Sequence, residues 1–171
     1  METGTREKLM GILKSFRNAM LVTQGQDKAL RSRPMALLKV DDNGDCWFMT
    51  GFDSGKIDEI GQNPMVNVSL QDDRKFLSLS GQAVITRDRQ KLEELWSEHM
   101  KVFFPRGKED PNLALICVSP SEGEFWDNEG VQGLKFLLEA VKAYVTGTTP
   151  DVDNAQHGAV ALNSEQTSSS R

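Results

Sequence analysis

Short polar turns separate the apolar runs of this chain, and that spacing limits its fold more than any other feature. Gly25-Gln26-Asp27, Asp41-Asp42-Asn43-Gly44 and Asp72-Asp73-Arg74 each lie between strand-like segments. Asn and Gly tolerate positive φ, so Asn43-Gly44 marks a hairpin. Strands joined this tightly pair antiparallel, because a parallel pair needs a crossover of about a dozen residues or more. Strict alternation of strand and helix is absent, which argues against Rossmann and TIM architectures.

The segments between the turns predict the elements. Leu9, Ile12, Leu13 and Phe16 recur at helical spacing over Thr5 to Phe16. Strands are expected at Asn18 to Gln24, Leu30 to Val40, Cys46 to Thr50, Met65 to Gln71 and Lys75 to Thr86, then at Leu113 to Ser119 and Gly123 to Asp127. Pro34 cannot donate a ladder hydrogen bond, so it marks an edge, a bulge or a stretch facing something other than a strand. Gly81 is the expected bulge. Lys56 to Gln62 reads as a short helix with Ser54 as N-cap, stopped by Asn63-Pro64. Arg87 to Glu98 and Leu134 to Thr146 read as amphipathic helices. The expected fold is mainly β (α+β), a small antiparallel β-barrel with peripheral helices, over residues 1–146. Residues 147–171 are polar and carry too little apolar surface to offset their ordering entropy, so a disordered tail is expected.

Bulk properties remove several function classes. A chain of 171 residues, 38% hydrophobic and 26% charged, can bury a core without metal or disulfide staples. The net charge of −5 argues against nucleic acid as the main partner. No apolar run reaches the ~18–20 residues of a membrane helix. The opening Met-Glu-Thr-Gly-Thr-Arg-Glu-Lys lacks a signal-peptide apolar segment, so a cytoplasmic location with no membrane partner is expected. Cys46 and Cys117 sit in apolar runs and read as small core residues, and no zinc spacing exists, so no metal is expected. His99 and His157 read as surface histidines. No nucleophile elbow, Walker loop or Gly-x-Gly-x-x-Gly is present. Trp47 and Trp96 read as core. Trp126, in the polar setting Glu122-Gly123-Glu124-Phe125-Trp126-Asp127, suits the lip of a pocket.

The chemistry concentrates between Arg33 and Lys56. Two strand-like runs, Arg33-Pro34-Met35-Ala36-Leu37 and Cys46-Trp47-Phe48-Met49-Thr50, are followed by Gly51-Phe52-Asp53-Ser54-Gly55-Lys56. A flat, phosphorylated ligand could lie along such strands, with Arg33, Lys56, Ser54 and Thr50 offered to its phosphate.

These segments, in order, resemble the pyridoxamine 5′-phosphate oxidase-like flavoproteins, and within them the small FMN-binding general stress proteins. The likeness runs from about Thr5 to Val145. It includes Met20-Leu21-Val22-Thr23, Asn63-Pro64-Met65-Val66-Asn67-Val68, Ser80-Gly81-Gln82-Ala83 and Glu124-Phe125-Trp126-Asp127. The resemblance implies a split β-barrel homodimer with FMN at the subunit interface. The Arg33-Pro34-Met35 strand would run beside the flavin, with Met49 and Thr50 facing the ring and ribityl chain. Ser54 and Lys56 would hold the phosphate, with Arg33 as a second cation and Trp126 contributing from the other subunit. Gln71 and Ser80 are looser matches.

The departures bear on activity. In the true oxidases an Arg and a His shortly after the tryptophan bind pyridoxal phosphate; here the stretch is Asp127-Asn128-Glu129-Gly130-Val131-Gln132-Gly133. Its acids would repel a substrate phosphate. Gly55 also stands where the oxidases often place a second basic residue. Vitamin B6 oxidation is therefore not expected. The expected function is an FMN-binding stress protein whose flavin accepts hydride or electrons from an unnamed donor. Its alternatives are a nicotinamide- or deazaflavin-dependent reductase of the same fold and a non-catalytic binding module.

Overall fold

A computed structural model describes residues 2–127 and 157–162 of the chain. Helix α1 (Glu2–Ser15) leads into strands β1 (Asn18–Gln24), β2 (Leu30–Ala36), β3 (Lys39–Val40) and β4 (Cys46–Gly51). Helix α2 (Gly55–Gln62), β5 (Met65–Gln71) and β6 (Lys75–Thr86) follow. Helix α3 (Arg89–Leu95) and two 3₁₀ turns (Glu98–Val102 and Gly107–Glu109) precede β7 (Leu113–Asp127), and β8 (His157–Ala161) completes the described elements.

The strands form one antiparallel sheet in the order β2-β1-β5-β6-β7-β4-β3, with β8 also on β7. Its two ends, β2 and β3, are consecutive in the chain and joined by Leu37-Leu38 alone. Laid flat, a sheet in this order would separate those ends by about 29 Å. The link from Ala36 to Lys39 reaches at most about 11 Å. The sheet must therefore curl, and it forms a half-barrel around the larger core cluster.

Alternation along the strands fills that core. Leu21, Phe48, Val68, Leu77, Leu79 and Ile116 point inward, and α1 covers them with Leu9 and Leu13. Ile57 and Ile60 anchor α2 to the same cluster, each burial contributing about 1.5–3 kcal/mol. A second cluster lies outside the barrel wall. Met49, Leu113 and Leu115 pack there against Leu92 and Leu95 of α3, with Trp47 and Trp96 alongside.

Several expectations meet the structure with informative differences. Pro34 sits on β2, a terminal strand paired, among the described residues, with β1 alone, so its missing N–H costs no ladder bond there. The single strand expected over Leu30 to Val40 is instead β2 and β3, separated where the chain crosses the barrel opening. The ladder irregularity falls between Ser80 and Gly81, where Gly81 was expected to bulge, but the unpaired extra residue is Ser121 of β7. That bulge absorbs Pro120, so the two strands expected before and after it are one, β7. The helix expected from Arg87 starts later, after Asp88 accepts a bond from the Lys91 N–H, and ends at Leu95.

The tail also differs. Residues 157–161, expected to be disordered, pair with β7 over Glu122–Trp126, and Val160 is buried in the main core. Gly158-Ala159-Val160-Ala161-Leu162 is a small apolar island that the polar average of the tail concealed. The helix expected at Leu134 to Thr146 lies outside the described residues.

Gly81 shows how tightly β6 and β7 approach. A Cβ there would lie within van der Waals overlap of the Ser119 carbonyl oxygen and the Pro120 Cα, both backbone. Gly81→Ala is expected to lower stability by about 2–3 kcal/mol, read as a lower urea midpoint with an unchanged m-value.

Candidate functional site

The loop Gly51–Ser54 is fixed by Asn112, the residue just before β7. The Phe52 N–H donates to the Asn112 carbonyl at 2.6 Å. The Asn112 side chain both accepts from the Asp53 N–H at 3.1 Å and donates to the Asp53 carboxylate at 2.8 Å. This clamp delivers the chain to Ser54 and the start of α2. Ser54 occupies the N-cap position, as expected, but its hydroxyl makes no capping bond to the helix. It accepts instead from the Lys56 ammonium at 2.6 Å, while Thr50 Oγ1 accepts from the same ammonium at 2.9 Å.

Among the described residues, no carboxylate lies in ion-pair contact with Lys56. Two of its N–H donors go to hydroxyls, which leaves one more to offer. Burial and then repulsion from Arg33 push its pKa below the ordinary lysine value, while Glu59 and Asp53 oppose the shift. An anion beside Lys56 would relieve both penalties.

Lys56 and Thr50 line a cavity of about 540 Å³, together with Met35, Met49, Phe103 and Phe104. Pro34, Ala36 and Leu38 extend the wall along β2 and its link to β3, and Met100 adds to the apolar side. A volume in the range of small-molecule sites, mostly apolar with a few placed polar groups, suits a planar organic ligand.

Of the eight residues singled out from sequence, Pro34, Met35, Met49, Thr50 and Lys56 line this one cavity. Ser54 joins it through Lys56. Arg33 and Trp126 do not line it. Trp126 lies on β7, opposite Phe76 of β6, and is 37% exposed. Arg33 turns to α2 instead. Its guanidinium donates to Thr23 Oγ1 at 2.6 Å and to both Glu59 oxygens at 2.9 and 2.6 Å.

Thr23 and Glu59 were not anticipated. Thr23 is buried on the inner face of β1 and donates to the Glu59 carboxylate at 2.6 Å. No local signal connects these two residues, which are far apart in the chain. His99 is exposed, as expected, and it also lines the cavity from the first 3₁₀ turn, as does Ser97 just before it. The exposed Phe103 lines the cavity too, and Phe104 also packs against the second cluster. The stretch after Asp127, which separates this chain from the true oxidases, lies outside the described residues.

Burial alone would raise the Glu59 carboxyl. Hydrogen bonds from Thr23 and Arg33, with the charges of Arg33 and Arg31, outweigh burial and hold its pKa below the ordinary glutamate value. A depressed carboxyl contributes stability above its unfolded value of 4.5 and loses that contribution as pH falls through its folded value. Arg33→Ala is therefore expected to cost about 1–3 kcal/mol at neutral pH. Its deficit against the parent chain should shrink as pH drops below the glutamate range, as measured by urea unfolding across pH.

Most of the chain supports a kinship at the level of fold and sequence. A family model described as pyridoxamine 5′-phosphate oxidase like matches residues 4–151. Protein bli-3 of Neurospora crassa is 30% identical over 122 residues, covering 64% of this chain and 58% of its own length. General stress protein 26 of Bacillus subtilis is 25% identical over 122 residues, covering 68% of this chain and 84% of its own. A solved structure from Jannaschia sp. CCS1, described as a general stress protein 26, superposes with a TM-score of 0.71 at 29% identity, covering 93% of this chain and 99% of that one. The general stress FMN/FAD binding protein of Xanthomonas citri superposes with a TM-score of 0.64 at 31% identity, covering 75% of this chain and 92% of that one. The curled antiparallel sheet is the split-barrel fold of these general stress proteins. With that fold, the family match over most of its length and a cavity edged by a lysine and two hydroxyls, the chain belongs to the pyridoxamine 5′-phosphate oxidase-like family, in its general stress protein branch.

Proposed function

We propose that the chain binds FMN in the cavity between β2, β4 and α2, as a homodimer, and acts as a flavin-dependent oxidoreductase. The observation that carries this reading is Lys56, a half-buried ammonium held by two hydroxyls at a cavity whose wall is mostly apolar, with Met35, Met49, Leu38, Phe103 and Phe104 among its residues. A phosphate monoester needs that kind of point charge with neutral donors beside it. The donor set fits: Lys56, Ser54 and Thr50 would hold the phosphate, while Met35, Met49 and the Pro34 backbone would flank the ring. When bound, the flavin supplies a ring that accepts hydride or electrons; the protein binds it, orients it and keeps water from it.

The homodimer draws support from the outer face of the sheet. Met20, Met65, Phe76, Val84 and Trp126 are all exposed there, alternating with buried residues on the same strands. Pro34 lies opposite Met20 in the ladder and also lines the cavity, so the apolar outer face runs into the site. A second copy seated on this face would close the cavity and bring a second Trp126 near it. The likeness to the Xanthomonas citri protein, an FMN/FAD binding protein, supports the same cofactor class.

Purified protein mixed with FMN and desalted is expected to keep flavin absorption bands; a colourless protein would overturn the assignment. Lys56→Ala is expected to weaken FMN binding roughly 10–100-fold, the loss of one charged hydrogen-bonding group, with little change for riboflavin. Anaerobic bleaching of the bound flavin by a nicotinamide or deazaflavin donor would support turnover, and no bleaching with either would favour binding alone.

A further inference from the structure

Glu59 follows Lys56 by one turn of α2, and its carboxylate is the hub of a network beside the cavity. Thr23 Oγ1 donates to Glu59 Oε2 at 2.6 Å, and one Arg33 nitrogen reaches both Glu59 oxygens at 2.9 and 2.6 Å. The other Arg33 terminal nitrogen donates to Thr23 Oγ1, and Arg31 Nε stands 3.7 Å from Glu59 Oε1. Arg33 and Met35 share one face of β2, two residues apart. Met35 lines the cavity; Arg33 does not. The carboxylate has drawn the guanidinium away from the wall that its own strand helps to build.

We propose that Glu59 is a specificity-determining residue of the anion-binding end of the cavity: by holding Arg33 it leaves Lys56 as the cation that meets the ligand, and so sets how strongly a phosphate monoester is preferred over the same ligand without phosphate. The proposal rests on the reading that Lys56 receives the flavin phosphate. The charge balance gives its direction. Arg33 and Glu59 cancel, so the end carries the single positive charge of Lys56. Neutralising Glu59 adds a net positive charge and frees guanidinium donors, and both changes favour an anion. A ligand with no phosphate has nothing to gain.

Glu59→Gln preserves the shape and the acceptor for Thr23 while removing the charge. The experiment titrates FMN and riboflavin into the parent chain and into E59Q at fixed ionic strength, following flavin fluorescence. It also records the rise in melting temperature with added inorganic phosphate, which stabilises whichever form it binds. The expected result is FMN binding about fivefold tighter or more in E59Q, with riboflavin changed by less than about twofold. Weaker or unchanged FMN binding in E59Q would overturn the proposal and leave Glu59 as a buttress for Arg33. If E59Q does not fold, the doubly neutral Arg33→Gln/Glu59→Gln chain decides. It has the same net charge at this end as the parent and should bind FMN within about twofold of it. A loss of about tenfold or more would mean that Arg33 serves the phosphate directly, against the proposal. If the parent binds neither flavin yet phosphate stabilises it, the flavin reading fails alone. Glu59 is then judged on phosphate: a larger melting-temperature rise in E59Q supports the proposal, and an equal or smaller one overturns it. No stabilisation of either chain by phosphate would also overturn it.

Discussion

Two residues, Leu37 and Leu38, govern the shape of this molecule, because they join the strands at opposite ends of its sheet. Antiparallel pairing alone would allow an open, twisted sheet. The short covalent link does not. Curling the sheet gives it an inside, which the larger cluster fills, and an outside, where α3 builds a second cluster against β4 and β7. The candidate cavity lies beside that link. Leu38 lines it from the link itself, Met35 from the strand before, and Met49 and Thr50 from β4. The link that curls the sheet therefore also supplies part of the cavity wall.

Electrostatics at the site are divided between two helical positions. Lys56 faces the cavity with hydroxyl partners, and Glu59, one turn on, engages the arginines of β2. The same helix buries Ile57 and Ile60 in the core between them. Lys56 and Glu59 thus place charge while Ile57 and Ile60, each the next residue along, pack, and α2 cannot rotate to favour one without disturbing the other. Such coupling suits a site that must stay ordered before its ligand arrives.

Much of this was legible from residue order. Tight Asx and Gly turns announced antiparallel pairing, and the apolar runs between them located most of the strands. The Thr50, Ser54 and Lys56 triad was readable because the three lie close together in the chain, at the end of β4, in the short loop and at the start of α2. What escaped the reading depends on distance in the chain. Glu59 looks like any exposed helical acid until β1 and β2 bring Thr23 and Arg33 to it. Arg33 is on the right strand, but which way a guanidinium turns is set by its nearest carboxylate, and that partner is tertiary. His99 sits in a 3₁₀ turn with no periodic signature, so nothing local placed it at the cavity. The length of β7 was hidden by Pro120, which reads as a terminator unless a bulge is there to take it.

The pairing of β8 with β7 has a consequence for solubility. β7 is bordered by β6 along most of its length, and its other edge is taken first by β4 and then, past the bulge, by β8. Without His157–Ala161, the second half of that edge would present a row of unpaired N–H and C=O groups beside the hydrophobic side chain of Phe125. Exposed ladders of that kind recruit strands from other molecules. This short, late segment therefore acts as a selvedge: it finishes the border of the fabric so that the next chain finds no loose thread to pull.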